Sequence, residues 1–483
     1  MATTLQPNRF RLRPVGMAAA ALGLVIATYG VAALRATPPP AANANGAGTG
    51  AGTGTGTGAG QVAPGLGAPP VDVTLASPGG PALAVGSLAQ IDHSIAGWTE
   101  NLAQESKDFY AATNLGLLYE GRARLTGDIA DYDRARQALE QSIAVAPEES
   151  AARVVHARVL ASLHEFPAAL AEARAVFTAD PTQLPALAVE GDSALELGDV
   201  ATATAAYGAL AKAAPGAAVD ARLSRLAFIE GRPQDAWRLA RQAYDEDVAA
   251  GDTGQSESWY AYVLGTLAMT SGQPQQALDW FNRAVAEWPG SFLANAGVGR
   301  AQAALGQTAA AIQAYQAAIA IAPQPDAVAA LGDLYAIGGQ PKLAQDDYAT
   351  VEAIGHLAAL NEQVFNRQLV LFSVNHDRDL AQALQLAQTE LAVRKDAYGY
   401  DAVAWALLAN GRAADAQVAI GQAMAFGTID PLFEYHAGLI AQALGQHDRA
   451  VDLLQQALAP VGALDPLATA RAQAALASLE ARR

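Results

Sequence analysis

Cysteine is missing from all 483 residues of the chain. Its absence excludes disulfides, cysteine nucleophiles, Cys-ligated zinc or iron–sulfur sites and a lipid-modified N-terminal cysteine. Any attachment to a membrane must therefore be made by peptide. Aromatic residues are scarce at 6%, although hydrophobic residues make up 52%. Alanine dominates that apolar share; it is the best helix former and lets helices approach closely. Sustained alternation of Val, Ile, Thr and aromatics is also missing, so strands are not expected. No acidic residue precedes Asp72, whereas Arg9, Arg11, Arg13 and Arg35 fall within the first 36 positions. With a formal net charge of −17, the body beyond them is strongly acidic. Such a surface repels nucleic acid and anionic lipid, which excludes a general nucleic-acid role and suits a solvated exterior.

Catalytic signatures are lacking too. The chain has no Gly-x4-Gly-Lys, no Gly-x-Ser-x-Gly and no His-Glu-x-x-His, and none of its seven histidines stands four from another. Asn375-His376-Asp377-Arg378-Asp379 is rich in potential ligands but falls in an expected turn. Asp128, Asp131 and Asp133 lack the glycine and closing glutamate of a calcium loop, so capping and solvation are expected of them. No catalytic residue, cofactor or metal is assigned, and an enzyme is not expected.

Three arginines precede an uncharged run over residues 14–34, closed by Arg35. About 20 apolar residues span a bilayer as a helix. The preceding arginines predict a cytoplasmic N-terminus over 1–13 and translocation of the chain beyond the run. A cleaved secretory signal has the same layout. The length of the run, followed by no Ala-x-Ala before Ala42-Asn43-Ala44, favours an anchor over 14–35. Residues 36–81, with Pro38 to Pro40 and then Gly alternating with Ala or Thr, read as a disordered tether. A flexible chain of roughly 45 residues spans about 35–40 Å on average.

From Tyr110 one pattern returns at about 34 residues. Glycine stands five residues before alanine at Gly198/Ala203, Gly231/Ala236, Gly272/Ala277, Gly306/Ala311, Gly339/Ala344, Gly411/Ala416 and Gly445/Ala450. Pro147, Pro181 and Pro215 are evenly spaced, as are Pro289 and Pro323. Glycine ends one helix where the chain must turn, small residues allow two helices to cross closely, and proline ends the second. The pattern resembles the tetratricopeptide repeat (TPR) family. That resemblance implies an all-α, right-handed α-solenoid of about ten helix pairs over 110–465. Capping helices are expected over 82–109 and 466–483. Unit 1 shows about seven extra residues between its helices, unit 2 has His164 at the turn, and unit 8 has Arg378 where glycine is expected. The stretch from Tyr400 to Arg412, with Tyr435-His436-Ala437-Gly438, looks like modules of exported bacterial repeat proteins.

The family frame places Trp259, Tyr262, Phe365, Phe372, Tyr398, Trp405 and Tyr435 on the inner face of the array. Rigid aromatics there suit peptide contact, or they pack between helices. Position 9 of the first helix reads Arg158, Asp192 and Arg225, then Arg300 and Asp333. These arginines either hold a partner's carboxylates or form a ladder, each Arg with the Asp of the next unit. The family's clamp for C-terminal carboxylates needs Lys and Asn where Val154, Arg158, Ala188 and Asp192 stand, so that activity is not expected. The reading is an extracytoplasmic scaffold, tethered to a membrane by its N-terminal helix, that takes a protein or peptide in its groove. The alternative is an accessory subunit of a cell-envelope assembly or transport complex, its array used mainly for oligomerisation.

Overall fold

The computed structural model describes residues 88–251, 254–360 and 367–481. The expected anchor, the tether and Phe365 lie outside the described residues. Among the described residues no helix is long and apolar enough to cross a membrane. They form helices and turns with no strand.

Helix α1 (Leu88–Gln104) precedes ten antiparallel pairs. Units 1 and 2 are α2 (Phe109–Thr126) with α3 (Ile129–Val145), and α4 (Ser150–Ser162) with α5 (Phe166–Ala179). Units 3 and 4 are α6 (Leu184–Glu196) with α7 (Val200–Ala213), and α8 (Ala217–Ile229) with α9 (Pro233–Ala249). Units 5 and 6 are α10 (Gln255–Thr270) with α11 (Pro274–Glu287), and α12 (Phe292–Ala304) with α13 (Thr308–Ile321). Units 7 and 8 are α14 (Pro325–Ile337) with α15 (Pro341–Leu360), and α16 (Arg367–Asn375) with α17 (Leu380–Val393). Units 9 and 10 are α18 (Ala397–Ala409) with α19 (Ala413–Met424), and α20 (Pro431–Ala443) with α21 (His447–Leu458). Helix α22 (Pro466–Glu480) comes last, packing Ala468, Ala472 and Leu479 into the core of units 9 and 10.

Each pair is closed by a chemical fit between its two helices. In units 1, 3, 5, 6, 7 and 10 helix A carries a glycine whose missing Cβ leaves room for a large side chain of helix B. A Cβ on Gly191 would lie 2.3 Å from the Tyr207 ring, one on Gly265 2.5 Å from Phe281, and one on Gly332 2.6 Å from Tyr348. Phe281 is gripped twice, because a Cβ on Gly297 of the next unit would stand 2.6 Å from the same ring. Alanines complete the close faces: Ala203, Ala236, Ala277, Ala311, Ala416 and Ala450 are all fully buried. The seven turn glycines have φ between 69° and 80°, the left-handed region that only glycine enters without strain.

Two irregular units depart from expectation. The seven extra residues of unit 1 form no loop; they lengthen α2 and α3 around a short turn at Gly127 and Asp128. Asp128 caps α3, and Asp131 is buried between Arg122 and Arg134. In unit 8 the left-handed turn residues are Asp377 (φ 52°) and Asp379 (φ 37°), not Arg378. One residue is inserted before α17, and Asp379 caps that helix. Aspartate and histidine tolerate this region better than most residues, and His164 occupies it at the turn of unit 2 (φ 62°).

The fit gives one substitution opposite signs in two places. Gly421→Ala, on a helix with nothing within 4 Å of the new methyl, should stabilise by about 0.5–1 kcal/mol. Gly265→Ala must displace Phe281 and should destabilise by about 1–3 kcal/mol. Urea unfolding of the two variants checks both signs.

Candidate functional site: the inner face and the seam between superhelical turns

Inner-face residues of the A helices pair from unit to unit. Arg158 on α4 donates through Nε to Glu120 on α2 at 3.0 Å and through Nη2 to its other oxygen. Arg222 on α8 grips Asp192 on α6 at 3.0–3.2 Å, and Arg225 donates to Glu196 on the same helix. His376 bridges Asp333 at 2.8 Å, and the Tyr348 hydroxyl donates to that carboxylate at 2.7 Å. Trp405 Nε1 donates to Asn375 at 2.9 Å, and His436 Nδ1 meets Asp401 at 2.7 Å. The inner stripe is thus a series of polar rungs between helices. The ladder differs from the expected one, because Arg158 and Arg225 reach back to Glu120 and Glu196 of the previous A helix. Asp192 is taken by Arg222, and Asp333 by His376 and Tyr348.

The candidate aromatics divide by exposure. Phe372, Trp405 and Tyr435 are 5%, 7% and 1% exposed, so they are core. Trp405 stacks on His436 at 4.2 Å and 14°, and Phe372 lies 5.8 Å from Tyr348. Burial pushes the Tyr435 hydroxyl up to about 12 despite the Arg471 guanidinium. Trp259 and Tyr262 are half-buried, their rings 5.7 Å apart. Tyr398 is half-buried as well; it donates to Asp430 at 2.9 Å and packs on Ala227, Phe228 and Ala236 of unit 4. Arg300 is exposed, and its Nη2 donates to the Ala463 carbonyl at 3.2 Å.

The contacts of Tyr398 and Arg300 belong to a larger feature. The array curls until the later units rest on the turns of the earlier ones. Glu196 in unit 3 pairs with Arg394, 198 positions later, as well as with Arg225. Arg394 also meets Glu390 at 3.1 Å and lies over the Phe166 ring at 5.2 Å. Arg367 joins Glu390 at 2.7 Å and Asp396 at 3.0 Å. The cluster contains three arginines and three carboxylates. Farther along, Thr428 Oγ1 donates to the Ile229 carbonyl at 2.7 Å. Three turn glycines touch the next turn directly: a Cβ on Gly198, Gly231 or Gly272 would fall 2.3, 2.1 or 2.6 Å from Lys395, Gly427 or Pro460. The sequence pattern does not single out Glu196 and Arg394, since partners 198 positions apart leave no trace in a 34-residue period.

Burial alone pushes the Glu196 carboxyl up, but the Arg225 and Arg394 guanidiniums override it and hold it well below the usual range. Arg158 likewise overrides burial at Glu120 and lowers it. Three half-buried carboxyls go the other way. Burial, with Glu246, lifts Asp220 to about 6. Burial, with Asp346, lifts Asp347 to about 6. Burial, with Asp430 and Asp401, lifts Glu434 to about 7. Among the described residues no group of three or more His, Asp or Glu is arranged to hold a metal ion.

An all-helical array of paired helices with a polar, zipped inner face is the architecture of a helical-repeat binding scaffold. The tetratricopeptide repeat model matches residues 120–183 and 262–327, which with the helix-pair packing supports a tetratricopeptide-repeat protein. No curated protein matches the chain. Similar solved structures include MamA, at 24% identity and TM-score 0.30, covering 35% of this chain and 96% of that one. The Cut9–Hcn1 hetero-tetramer of the APC/C matches at 15% identity and TM-score 0.30, covering 80% and 94%. The human IFIT1 dimer with PPP-AAAA matches at 13% identity and TM-score 0.41, covering 77% and 87%. At these scores the likenesses say nothing about what this chain binds.

The raised carboxyls set a pH dependence. Folded Asp220, Asp347 and Glu434 keep protons that the unfolded chain releases near pH 4, so they destabilise the fold as pH rises from about 4 to 7. Glu196 and Glu120 contribute stability that is lost only below about pH 4. The melting temperature should therefore be higher at pH 5 than at pH 8, and Glu434→Gln should flatten part of that rise in a calorimetric series.

Proposed function

We propose that the chain is an interaction scaffold that binds a protein or peptide along its array and is tethered outside the cytoplasm by its N-terminal segment. The observation that carries the binding reading is the tetratricopeptide repeat itself, a fold whose stacked pairs build extended contact surfaces. Support for the tether comes from the sequence: Arg9, Arg11 and Arg13 before an uncharged run long enough to span a bilayer, then a Gly-rich linker. Of the residues on the inner face, Trp259, Tyr262 and Arg300 offer a ligand exposed or half-buried surface. An aromatic pair in unit 5 and an arginine in unit 6 fit an extended peptide bearing an apolar side chain and a carboxylate.

A second reading treats the array as a structural or accessory subunit of an envelope assembly or transport complex. The burial of Phe372, Trp405 and Tyr435 favours it, because that part of the inner face is already filled by the chain itself.

Proximity labelling with the full chain in cells tests both the tether and the partner. Extracytoplasmic neighbours are expected, and recovery of cytosolic proteins alone would overturn the topology. Trp259→Ala should weaken capture of the main neighbour about tenfold or more with helix content unchanged. Under the structural reading capture would be unaffected.

A further inference from the structure

Stacking between successive units and contact across the seam are built differently. Extended helix-to-helix packing is confined to helices one or two places apart along the chain. The seam is made by turns and helix ends: three glycines against the next turn, the Thr428–Ile229 and Arg300–Ala463 hydrogen bonds, and the Glu196–Arg394 ion pair. Its apolar part is incompletely filled. A crevice of about 170 Å³ remains between Phe228, Trp237 and Leu267 on one side and Ile429, Pro431 and Pro460 on the other. A thin, underpacked interface carries little of the stabilisation that a continuous core supplies.

The charges are arranged so that separation strands no ion. On parting, Glu196 keeps Arg225 within its own turn, while Arg394 keeps Glu390 and Asp396 within its own. Breaking a buried pair is costly when one charge is left uncompensated. Here both sides retain partners, so the closed and opened forms are each electrostatically satisfied.

We propose that the seam is a latch: the array exchanges between this closed superhelix and an opened one, and the Glu196–Arg394 pair holds it shut. In the opened form units 8–10 leave the turn edge of units 3–6. Opening releases Arg300 from Ala463 and exposes the crevice wall of Phe228 and Trp237, so the latch controls access to the inner face near unit 6.

The natural absence of cysteine makes a direct test possible, because one introduced thiol is the only one in the chain. Thr428 is 6% exposed at the seam, and Ser224 is 1% exposed within unit 4, where its hydroxyl donates to Ala236. In the full chain, Thr428→Cys should react with a thiol reagent at least tenfold faster than Ser224→Cys. Adding Glu196→Gln should speed the first at least fivefold more and leave the second unchanged. Equal rates for the two thiols would show that the seam parts only on unfolding and would overturn the latch. A ratio unmoved by Glu196→Gln would remove Glu196 from it. Should Glu196→Gln lose helix content, Arg394→Gln takes its place, and the ratio in the otherwise native background still decides whether the seam opens. Neither result bears on which partner binds the array.

Discussion

The structure rests on the close crossing of two helices that no side chain larger than glycine or alanine would permit. Tyr207, Phe281 and Tyr348 each occupy the space left by a missing Cβ on the facing helix. Where the ring fits, the pair has a fixed crossing, and where the crossing is fixed the next pair can repeat it. A two-helix unit cannot bury its own apolar face, so the regularity of this fit allows ten units to share one stack. The polar rungs of the inner face depend on it, since they require consecutive A helices to stand at a constant separation.

The same regularity produces the seam. An array that turns by a similar step at each unit returns upon itself, and here unit 8 arrives over unit 3. The turn glycines then acquire a second duty. All seven adopt the left-handed conformation, but only Gly198, Gly231 and Gly272 also lie against backbone of the next turn, while Gly306, Gly339, Gly411 and Gly445 face open space. One sequence motif thus serves two constraints, and its spacing cannot distinguish them. The seam uses close backbone approach, one balanced ion cluster and the Tyr398 contact with unit 4, in place of the extended helix-to-helix packing that joins successive units.

Much of the repeat is legible in residue order because its causes are local. Glycine, alanine and proline act within a single turn or a single helix crossing, so their spacing marks the seven regular units directly. The irregular units are harder to read. Extra residues in unit 1 extend two helices because Asp128 can cap α3 and Arg122 can neutralise Asp131. In unit 8 the inserted residue moves the left-handed position onto Asp377, which a fixed spacing from Ala383 misses. The inner face is only partly legible. A helical frame puts Trp405 and Tyr435 on one face of their helices, but their exposure depends on Asn375, His436 and α22, contacts made across units that the frame does not contain. The Glu196–Arg394 pair spans 198 positions and has no periodic signature.

Closure of the chain on itself is open to direct measurement where two turns meet. The backbone of Glu230 approaches Gly427, next to Thr428, which bonds to Ile229. Distance measurement between labels attached at Glu230→Cys and Ile429→Cys reads that closure in solution. A dominant, narrow, short-distance population is predicted under native conditions. A broad distribution without it, in a protein whose helix content is intact, would contradict the closed superhelix.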